Sequence, residues 1–190
     1  MTPGRIVLIG GGVRSGKSAF ALARARALGE RRVLLATAEA RDAEMRERIM
    51  RHRRERGREF RTVEEPLALA AALRELRETD VVVIDCLTLW LSNLLLRDGT
   101  EARILQQLDD VCDALAERSW SSVVVTSEVG MGIVPESALG RAFRDLSGLA
   151  HQRLARCADE IHLAVLGCVL RMRPAPVELQ APGGTHDSAR

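Results

Sequence analysis

The 190-residue sequence predicts an α/β fold, with a mainly parallel β-sheet and helices on both faces. Short runs rich in Val, Ile and Leu alternate with longer stretches of helical spacing, which favours parallel strands joined by helices. The first apolar run, 5–9, also leads into a glycine-rich loop and then an Ala-rich helical stretch at 19–28. One domain over 1–173 accommodates these segments, and a Pro- and Gly-rich tail, 174–190, is expected to be flexible.

The glycine-rich loop has the spacing of a phosphate-binding P-loop. Residues 11–18 follow the pattern G-x-x-x-x-G-K-S between a strand and a helix, which is the context that this motif requires. Glycine permits backbone conformations that turn successive N–H groups toward anionic oxygens, and the helix N-terminus adds partial positive charge. The motif predicts a P-loop NTPase-like fold. It also predicts nucleotide contacts from Gly11, Gly12, Val13, Arg14, Ser15, Gly16, Lys17 and Ser18.

Lys17 is the only lysine among the 28 lysine and arginine residues of the chain. The compact ammonium therefore stands where P-loop chemistry needs it, in a sequence that uses arginine everywhere else. We expect Lys17 to be catalytic and to reach the β- and γ-phosphates, and the Ser18 hydroxyl to bind Mg²⁺. A glycine turn that merely precedes a helix is the alternative for the motif taken alone.

Composition argues against several other classes of protein. The net charge of +2 is too small to indicate a nucleic-acid partner, and three Phe, two Trp and no Tyr offer few rings for stacking bases. No apolar run reaches the roughly 18 to 20 residues that cross a bilayer, and no targeting signal precedes the first strand, so we expect a cytoplasmic protein. The cysteines, at 86, 112, 157 and 168, lack metal-binding spacing and are expected to be small core residues.

The second strand and the helix after it carry the next candidate residues. Residues 32–38 form an apolar run that ends in small and hydroxyl side chains, where α/β folds place their ligands. The pattern then predicts a helix over 42–56, capped by an aspartate at its start. Met45, Ile49 and His52 share one face of this helix, because they are spaced i, i+4 and i+7. Taken alone, a histidine on so charged a helix is expected to be merely solvated, and His151 is likewise expected on the surface of a later helix.

Residues 80–87 predict the central strand of the sheet. Four consecutive β-branched residues precede Asp85, which matches the second element of P-loop proteins, an acid near Mg²⁺ at the end of a strand. Capping of the following helix is the alternative role for this carboxylate. The strongly apolar segment 88–96 predicts either a buried helix or a subunit contact.

The remaining predicted elements continue the alternation of strands and helices. They are an extended piece at 60–63, helices at 64–77, 101–118 and 137–157, a strand at 122–127, a loop at 128–135, and the last strand at 161–165.

Several segments, in order over about 5–167, together resemble one family, the bifunctional adenosylcobinamide kinase / adenosylcobinamide-phosphate guanylyltransferases of cobalamin biosynthesis. They are GGGVRSGKS (10–18), ATA (36–38), DAEMRERI (42–49) with His52, TVEE (62–65), DCLTLWLSNLL (85–95), EVGMGIVPE (128–136), FRD (143–145) and QRLA (152–155). One departure lies at 148–152, where the family pattern has an Arg and an Asn before Gln152.

The resemblance implies two reactions. Family members phosphorylate adenosylcobinamide with a nucleoside triphosphate, and then transfer GMP from GTP to that phosphate to give adenosylcobinamide-GDP. A guanylyl-histidine carries the GMP, and His52 matches that histidine. Neutral imidazole, with an ordinary pKa of about 6.5, is a plausible nucleophile near neutral pH, and a covalent intermediate splits the transfer into two displacements.

The resemblance further implies Mg²⁺, the substrates ATP, GTP, adenosylcobinamide and its phosphate, and a homo-oligomer, as a trimer. It implies nucleotide contacts from Thr37, Ala38, Glu39, Arg53, Arg54, Glu55, Arg56, Glu64 and Asp85. A P-loop kinase of another small metabolite, without a covalent intermediate, is the alternative function. A GTP-binding switch is disfavoured, because its N-K-x-D motif would need a second lysine.

Overall fold

The computed structural model describes residues 4–97 and 99–174, without the side chains of 48, 55 and 56. Its strands are β1 (Ile6–Gly11), β2 (Arg32–Ala36), β3 (Phe60–Glu64), β4 (Val81–Asp85), β5 (Ser121–Val125), β6 (Glu160–Val165) and β7 (Cys168–Arg173). Its helices are α1 (Lys17–Leu28), α2 (Ala43–Arg56), α3 (Leu69–Glu75), α4 (Leu87–Leu95), α5 (Glu101–Ala116) and α6 (Ala138–Cys157). The predicted tail lies outside the described residues from 175 onward.

The strands form one seven-stranded sheet in the order β3-β2-β4-β5-β1-β6-β7. All neighbouring pairs are parallel except β6 and β7. Since side chains alternate along a strand, Ile6 and Leu8 of β1 join one apolar cluster, while Val7 and Ile9 join a second cluster that includes α1 residues. The predicted α/β architecture, mainly parallel and covered on both faces, is confirmed.

The prediction that 161–165 is the last strand is wrong, because β7 adds an antiparallel strand at the edge of the sheet. Val165 pairs with Cys168 across a two-residue turn made by Leu166 and Gly167, which have φ values of 52° and 79°. Two successive positive φ values are typical of the tightest hairpin turns, which sequences usually mark with Asn-Gly or Asp-Gly. Because the first of the two turn residues is leucine, the sequence does not indicate this hairpin.

Helix α3 is shorter than the predicted 64–77. Glu64 ends β3, and the Glu65 carboxylate accepts hydrogen bonds from the backbone N–H groups of Leu67 and Ala68, at 2.9 and 2.8 Å. These bonds stabilise a turn rather than a helical first turn, so the helix begins only at Leu69.

Helix α4 confirms the first of the two interpretations of the apolar segment 88–96, a buried helix. Trp90 is 1% exposed, Leu87 and Leu91 are fully buried, and the Trp90 indole N–H donates to the Leu67 carbonyl at 2.8 Å. The helix is therefore part of this chain's own core. Trp90 itself is too buried to contact another subunit, whereas Leu96 is 49% exposed, so a subunit contact by the end of this segment stays a prediction.

The parallel register brings the carboxyl ends of β1, β2, β4 and β5 to one edge of the sheet, here called the P-loop edge. Ala36 of β2 pairs with Asp85 of β4, and Asp85 pairs with Val125 of β5. Side chains that follow these strands therefore converge although they lie far apart in sequence. Over the described residues, no helix combines the length and apolar character needed to cross a membrane.

At the opposite edge, Glu160 holds together three elements. Its carboxylate accepts hydrogen bonds from Arg5 at 2.7 Å, from Arg24 at 2.7 and 2.9 Å, and lies 3.2 Å from the His162 ring. Burial opposes ionisation, but the bonds from His162, Arg24 and Arg5 outweigh it and lower the pKa of Glu160 to about 2. The ionised carboxylate therefore stabilises the junction of β1, α1 and β6.

This depressed pKa predicts an acid-dependent loss of stability. A carboxylate whose pKa is lower in the folded state stabilises the fold above its unfolded pKa, and that contribution falls as the pH drops toward about 2. We expect Glu160→Gln to flatten the decline in the free energy of unfolding between pH 4.5 and 2, measured by urea titration. Glu117→Gln is the matched control, an exposed glutamate without an ion pair among the described residues. Equal slopes for Glu160→Gln and the unmutated protein would contradict the assignment.

Candidate active site

The P-loop runs from the end of β1 to the start of α1 and shows why glycine is needed at two positions. A Cβ on Gly11 would lie 2.4 Å from the Ala164 carbonyl oxygen, so only glycine permits β1 to pass β6 this closely. Gly16 precedes α1 with φ 92° and ψ 0°, in the left-handed region. Glycine is therefore needed at both ends of the loop, for a close approach of two strands at Gly11 and for a left-handed turn at Gly16.

Lys17 and Ser15 place two polar groups within this loop. Lys17 is 9% exposed, and its ammonium donates a hydrogen bond to the Gly12 carbonyl at 2.9 Å. Among the described residues, the buried Ser15 hydroxyl has no hydrogen-bond partner. An unsatisfied buried hydroxyl costs about 1–3 kcal/mol, and a phosphate oxygen in the loop would satisfy it. The unsatisfied Ser15 hydroxyl therefore favours an anionic ligand in the loop.

Helix α2 lies opposite the P-loop and forms the other wall of the site. A cavity of about 780 Å³, here called the outer cavity, is lined by 13–19 of the loop and by Glu44, Glu47, Arg51 and His52 of α2. Asp42 caps the helix as predicted, since its carboxylate accepts from the Met45 N–H at 2.7 Å. The structure therefore brings His52 and the P-loop to one cavity, a proximity that the sequence alone did not reveal.

The predicted face of α2 lines a second, adjoining cavity at the strand ends. Met45, Ile49 and His52 all point into it, as their spacing predicted. The other lining residues of this inner cavity are Lys17, Ser18, Ala38, Asp85, Cys86, Leu89 and Ser127. The predicted serine and aspartate for Mg²⁺ thus share one cavity with the predicted nucleophile.

Asp85 lies beside His52. The distance from the His52 Nδ1 to an Asp85 carboxylate oxygen is 3.7 Å, and the two side chains are 25% and 15% exposed. A carboxylate facing Nδ1 favours the imidazole tautomer that carries its proton there, which leaves the lone pair on Nε2. The geometry is therefore suited to a histidine that attacks through Nε2.

The predicted contacts that follow β2 differ in their accessibility. Thr37 is fully buried, and its hydroxyl donates to the Cys86 carbonyl at 2.7 Å and accepts from the Cys86 N–H at 2.9 Å. Thr37 therefore joins the ends of β2 and β4 beneath the inner cavity, and in this structure its hydroxyl does not face a ligand. Hydrogen bonds from Arg41, and charge from Arg97, hold the pKa of Glu39 below its ordinary value.

The remaining predicted contacts lie at the exposed side of α2. Arg53 and Glu64 form an ion pair with each other, more than half exposed on both sides, and such pairs contribute little to stability. Arg54 is exposed to solvent. The side chains of Glu55 and Arg56 lie outside the described part of the structure. A role in nucleotide binding stays a prediction for all of them.

A hydroxyl–histidine cluster lies behind the inner cavity and was not predicted from the sequence. His151, predicted to lie on the surface of a helix, is instead half-buried on α6 and faces the end of β5. Its Nε2 lies 2.7 Å from the Thr126 hydroxyl, which is 3.1 Å from the Thr88 hydroxyl. Its Nδ1 lies 3.5 Å from Glu128, and burial lowers the pKa of His151.

This cluster is connected to the P-loop through the backbone. The Glu128 N–H donates to the Gly11 carbonyl at 2.9 Å, and the Ser127 N–H donates to the Thr88 hydroxyl at 2.6 Å. The cluster therefore fixes the loop that follows β5 against the P-loop. Periodicity gave no signal for it, because its members come from α4, the segment just after β5, and α6, and their contacts are non-local.

A phosphate-binding loop with a buried lysine, a serine at the start of the next helix and an acid at a nearby strand end define a P-loop nucleotide-binding protein. Residues 7–172 match the family described as cobinamide kinase / cobinamide phosphate guanyltransferase. The chain belongs to this family, which confirms the resemblance seen in the sequence and makes it an enzyme of the transferase class.

Two relatives found by sequence agree with this membership. The chain is 40% identical over 171 residues to the bifunctional adenosylcobalamin biosynthesis protein CobP of Pseudomonas aeruginosa, covering 90% of this chain and 98% of that protein. It is 36% identical over 183 residues to the corresponding protein CobU of Escherichia coli, covering 88% and 99%. A solved structure of a KaiC-like protein from Pyrococcus horikoshii OT3 is similar with a TM-score of 0.48 and 18% identity, covering 86% of this chain and 72% of that chain.

Proposed function

We propose that this enzyme phosphorylates adenosylcobinamide with a nucleoside triphosphate and then transfers GMP from GTP to the new phosphate through His52, giving adenosylcobinamide-GDP. The outer cavity carries this proposal, because it is lined both by the P-loop and by His52. The kinase step needs a site that binds the polyphosphate, and the guanylyl step needs a nucleophile beside such a site. One cavity offers both.

In the kinase step, the P-loop would hold the triphosphate. Backbone N–H groups of the loop and the Lys17 ammonium would surround the phosphate oxygens, and the orphaned Ser15 hydroxyl would gain a partner. Phosphoryl transfer relies mainly on positioning and on stabilising charge, so the corrinoid hydroxyl would attack the γ-phosphorus without a covalent enzyme intermediate. His52 is not required for this step.

Ser18 and Asp85 fit Mg²⁺. Both are oxygen donors that line the inner cavity, and Mg²⁺ in nucleotide sites commonly takes one or two protein oxygens together with phosphates and water. We propose that these two residues hold the ion. When bound, Mg²⁺ would neutralise charge that develops on the phosphate oxygens.

In the guanylyl step, the His52 Nε2 would attack the α-phosphorus of GTP. A phosphorus–nitrogen bond forms, the bond from the α-phosphorus to the bridging oxygen breaks, and pyrophosphate leaves with that electron pair. Asp85, 3.7 Å from Nδ1, would hold the ring and balance its positive charge during attack. A phosphate oxygen of adenosylcobinamide phosphate then attacks the same phosphorus and releases neutral His52.

Product analysis tests the two-step proposal against the alternative of a kinase for another metabolite. The enzyme would be given adenosylcobinamide and Mg²⁺, with ATP alone, with GTP alone, or with both. We expect phosphorylated corrinoid with at least one triphosphate, and adenosylcobinamide-GDP only where GTP is present. Absence of any phosphorylated corrinoid would favour the alternative, and phosphorylation without adenosylcobinamide-GDP would refute the second step.

A homo-oligomer, specifically a trimer, also belongs to this proposal. Large apolar side chains are exposed on the loop after β5, with Met131 82% and Ile133 96% exposed. An apolar surface of this kind is suited to contact with another copy of the chain. Light scattering after gel filtration tests the stoichiometry, and a monomer at micromolar concentration would contradict it.

We further propose that the enzyme works in the cytoplasm, where both triphosphates are supplied.

Asp85→Asn is expected to lower both rates by about 10²-fold at limiting Mg²⁺, because it removes the charge that faces the ion and His52. Higher Mg²⁺ should be needed for half-maximal rate, while the melting temperature changes little. Initial rates across a Mg²⁺ series measure this, with Asp85→Glu as the variant that retains the charge. A sharply lower melting temperature with normal Mg²⁺ dependence would make Asp85 structural instead.

A further inference from the structure

A third cavity, of about 850 Å³, lies at the edge of the sheet opposite the P-loop, where β1 and β6 begin. It is here called the distal cavity. Arginines from three elements line it: Arg5 before β1, Arg24 on α1 and Arg171 on β7. The cavity also contains a thiol, Cys157, at the end of α6. None of these residues takes part in the nucleotide site.

The distal cavity has an excess of positive charge. Glu160 is engaged by both Arg5 and Arg24, and the Asp159 carboxylate accepts the Ile6 N–H at 2.7 Å. Among the described residues, Arg171 has no carboxylate partner, and its side chain is exposed. Three arginines therefore face two carboxylates that are already satisfied, so the cavity favours an anionic ligand.

The thiol in this cavity has a second thiol beside it. Cys157 is half-buried and packs against the apolar core, and Cys112 of the neighbouring helix α5 is 8% exposed. The Arg153–Asp109 ion pair joins α6 to α5, and Cys157 and Cys112 lie four and three residues after its two members, so both thiols lie at the same contact between the helices. The Cys157 thiol donates a hydrogen bond to the Arg153 carbonyl at 3.3 Å, and the neighbouring Cys112 is the main cause that lowers the pKa of Cys157. Because Cys157 lines the cavity and Cys112 is buried, Cys157 is the thiol that a dissolved disulfide meets first.

We propose that Cys157 is a site of thiol–disulfide exchange with an anionic, low-molecular-weight disulfide of the glutathione class, and that Cys112 is its resolving thiol. The arginines of the distal cavity would bind the carboxylates of the small molecule, since guanidinium groups pair well with carboxylates. Cys157 is exposed to the cavity, so the small disulfide can reach it. Cys112 is buried, so it reacts only in the second step.

The exchange balances without any further reagent. The Cys157 thiolate attacks one sulfur of the small disulfide, the sulfur–sulfur bond breaks, and one small thiolate leaves with the electron pair. Cys112 then loses its proton and attacks the Cys157 sulfur of the mixed disulfide, which expels the second small thiolate. The two protein thiols are oxidised to a Cys112–Cys157 disulfide, and the small disulfide is reduced to two thiols.

Treatment of the full chain with glutathione disulfide, followed by alkylation and peptide mass analysis, tests this. We expect a glutathionyl group on Cys157 first, and then a Cys112–Cys157 disulfide. In Cys112→Ser, and in Cys112→Ala if serine impairs folding, the mixed disulfide should persist on Cys157. In Cys157→Ser, Cys112 should stay unmodified. Modification of Cys112 in that variant, or no modification of Cys157 in the unmutated protein, would overturn the proposal.

Cys168 is the matched internal control, because it is an exposed thiol on β7 outside the lining of the distal cavity. Cys157 should react faster than Cys168 with anionic glutathione disulfide, and this advantage should shrink with cationic cystamine. Arg171→Ala should slow Cys157 modification by glutathione disulfide about 3- to 10-fold at low salt, without slowing its reaction with a neutral disulfide. If Cys168 reacts as fast as Cys157, or if charge on the reagent has no effect, the site is not the one proposed.

Discussion

Lys17→Ala is expected to lower the rate of phosphoryl transfer by at least about 10²- to 10³-fold while leaving the protein folded. The Lys17 ammonium lies within the P-loop, 2.9 Å from the Gly12 carbonyl oxygen, so a bound triphosphate would meet it directly. Charge placed in this way stabilises the transition state without reorganisation of solvent, and no other lysine in the chain can replace it. The proposed role of the side chain is ligand binding rather than packing of the core.

Lys17→Met is the stricter version of this test, because it keeps the length of the side chain and removes only the charge. Turnover with saturating triphosphate and corrinoid would be measured beside the thermal unfolding of each variant. We expect both variants to unfold cooperatively and to show the same large loss of kinase activity. Retention of full turnover in folded Lys17→Met would show that Lys17 is not a catalytic residue.

His52→Ala is expected to separate the two reactions. Formation of adenosylcobinamide-GDP should fall below detection, because only an uncharged nitrogen nucleophile at this place can form the guanylyl intermediate. Phosphorylation of adenosylcobinamide should continue at a measurable rate, since Lys17, Ser18 and Asp85 remain. The phosphorylated corrinoid should therefore accumulate even when GTP is abundant.

Two further variants make this result specific. His52→Asn retains polarity and much of the size of the side chain but lacks the nucleophile, so it should behave like His52→Ala. His151→Asn is the matched histidine control, because His151 lies in the cluster behind the inner cavity and does not line either cavity of the site. It should retain guanylyl transfer. Equal loss of both activities in His52→Asn would mean that the residue supports the fold of α2 instead.

The parts of the site that local sequence patterns determine were predictable. The P-loop is one contiguous motif whose glycines have steric reasons, and its context of strand and helix is visible in the sequence. The i, i+4, i+7 spacing placed Met45, Ile49 and His52 on one face of α2, and all three line the inner cavity. The family motifs, which extend along most of the chain, identified the class of enzyme.

The parts that depend on packing between distant segments were not predictable. The 3.7 Å distance between His52 and Asp85 depends on how α2 lies across the strand ends, which no spacing within either segment encodes. Thr37 matched a predicted contact, but its hydroxyl is committed to the Cys86 backbone, 49 positions away in the chain. His151 was expected on a helix surface, because helical periodicity does not reveal its hydroxyl partner, Thr126, just after a neighbouring strand.

Mapping of the guanylyl group tests the central claim most directly. The enzyme would be incubated with Mg²⁺ and GTP labelled at its α-phosphate, without corrinoid, and then denatured. Cleavage after glutamate is preferable to trypsin, because Arg51 and Arg53 flank His52. We predict an acid-labile, base-stable GMP group on the peptide that contains His52, released as adenosylcobinamide-GDP when unlabelled adenosylcobinamide phosphate is added before denaturation. Label on a different residue, or an unlabelled protein that still forms adenosylcobinamide-GDP, would contradict the account.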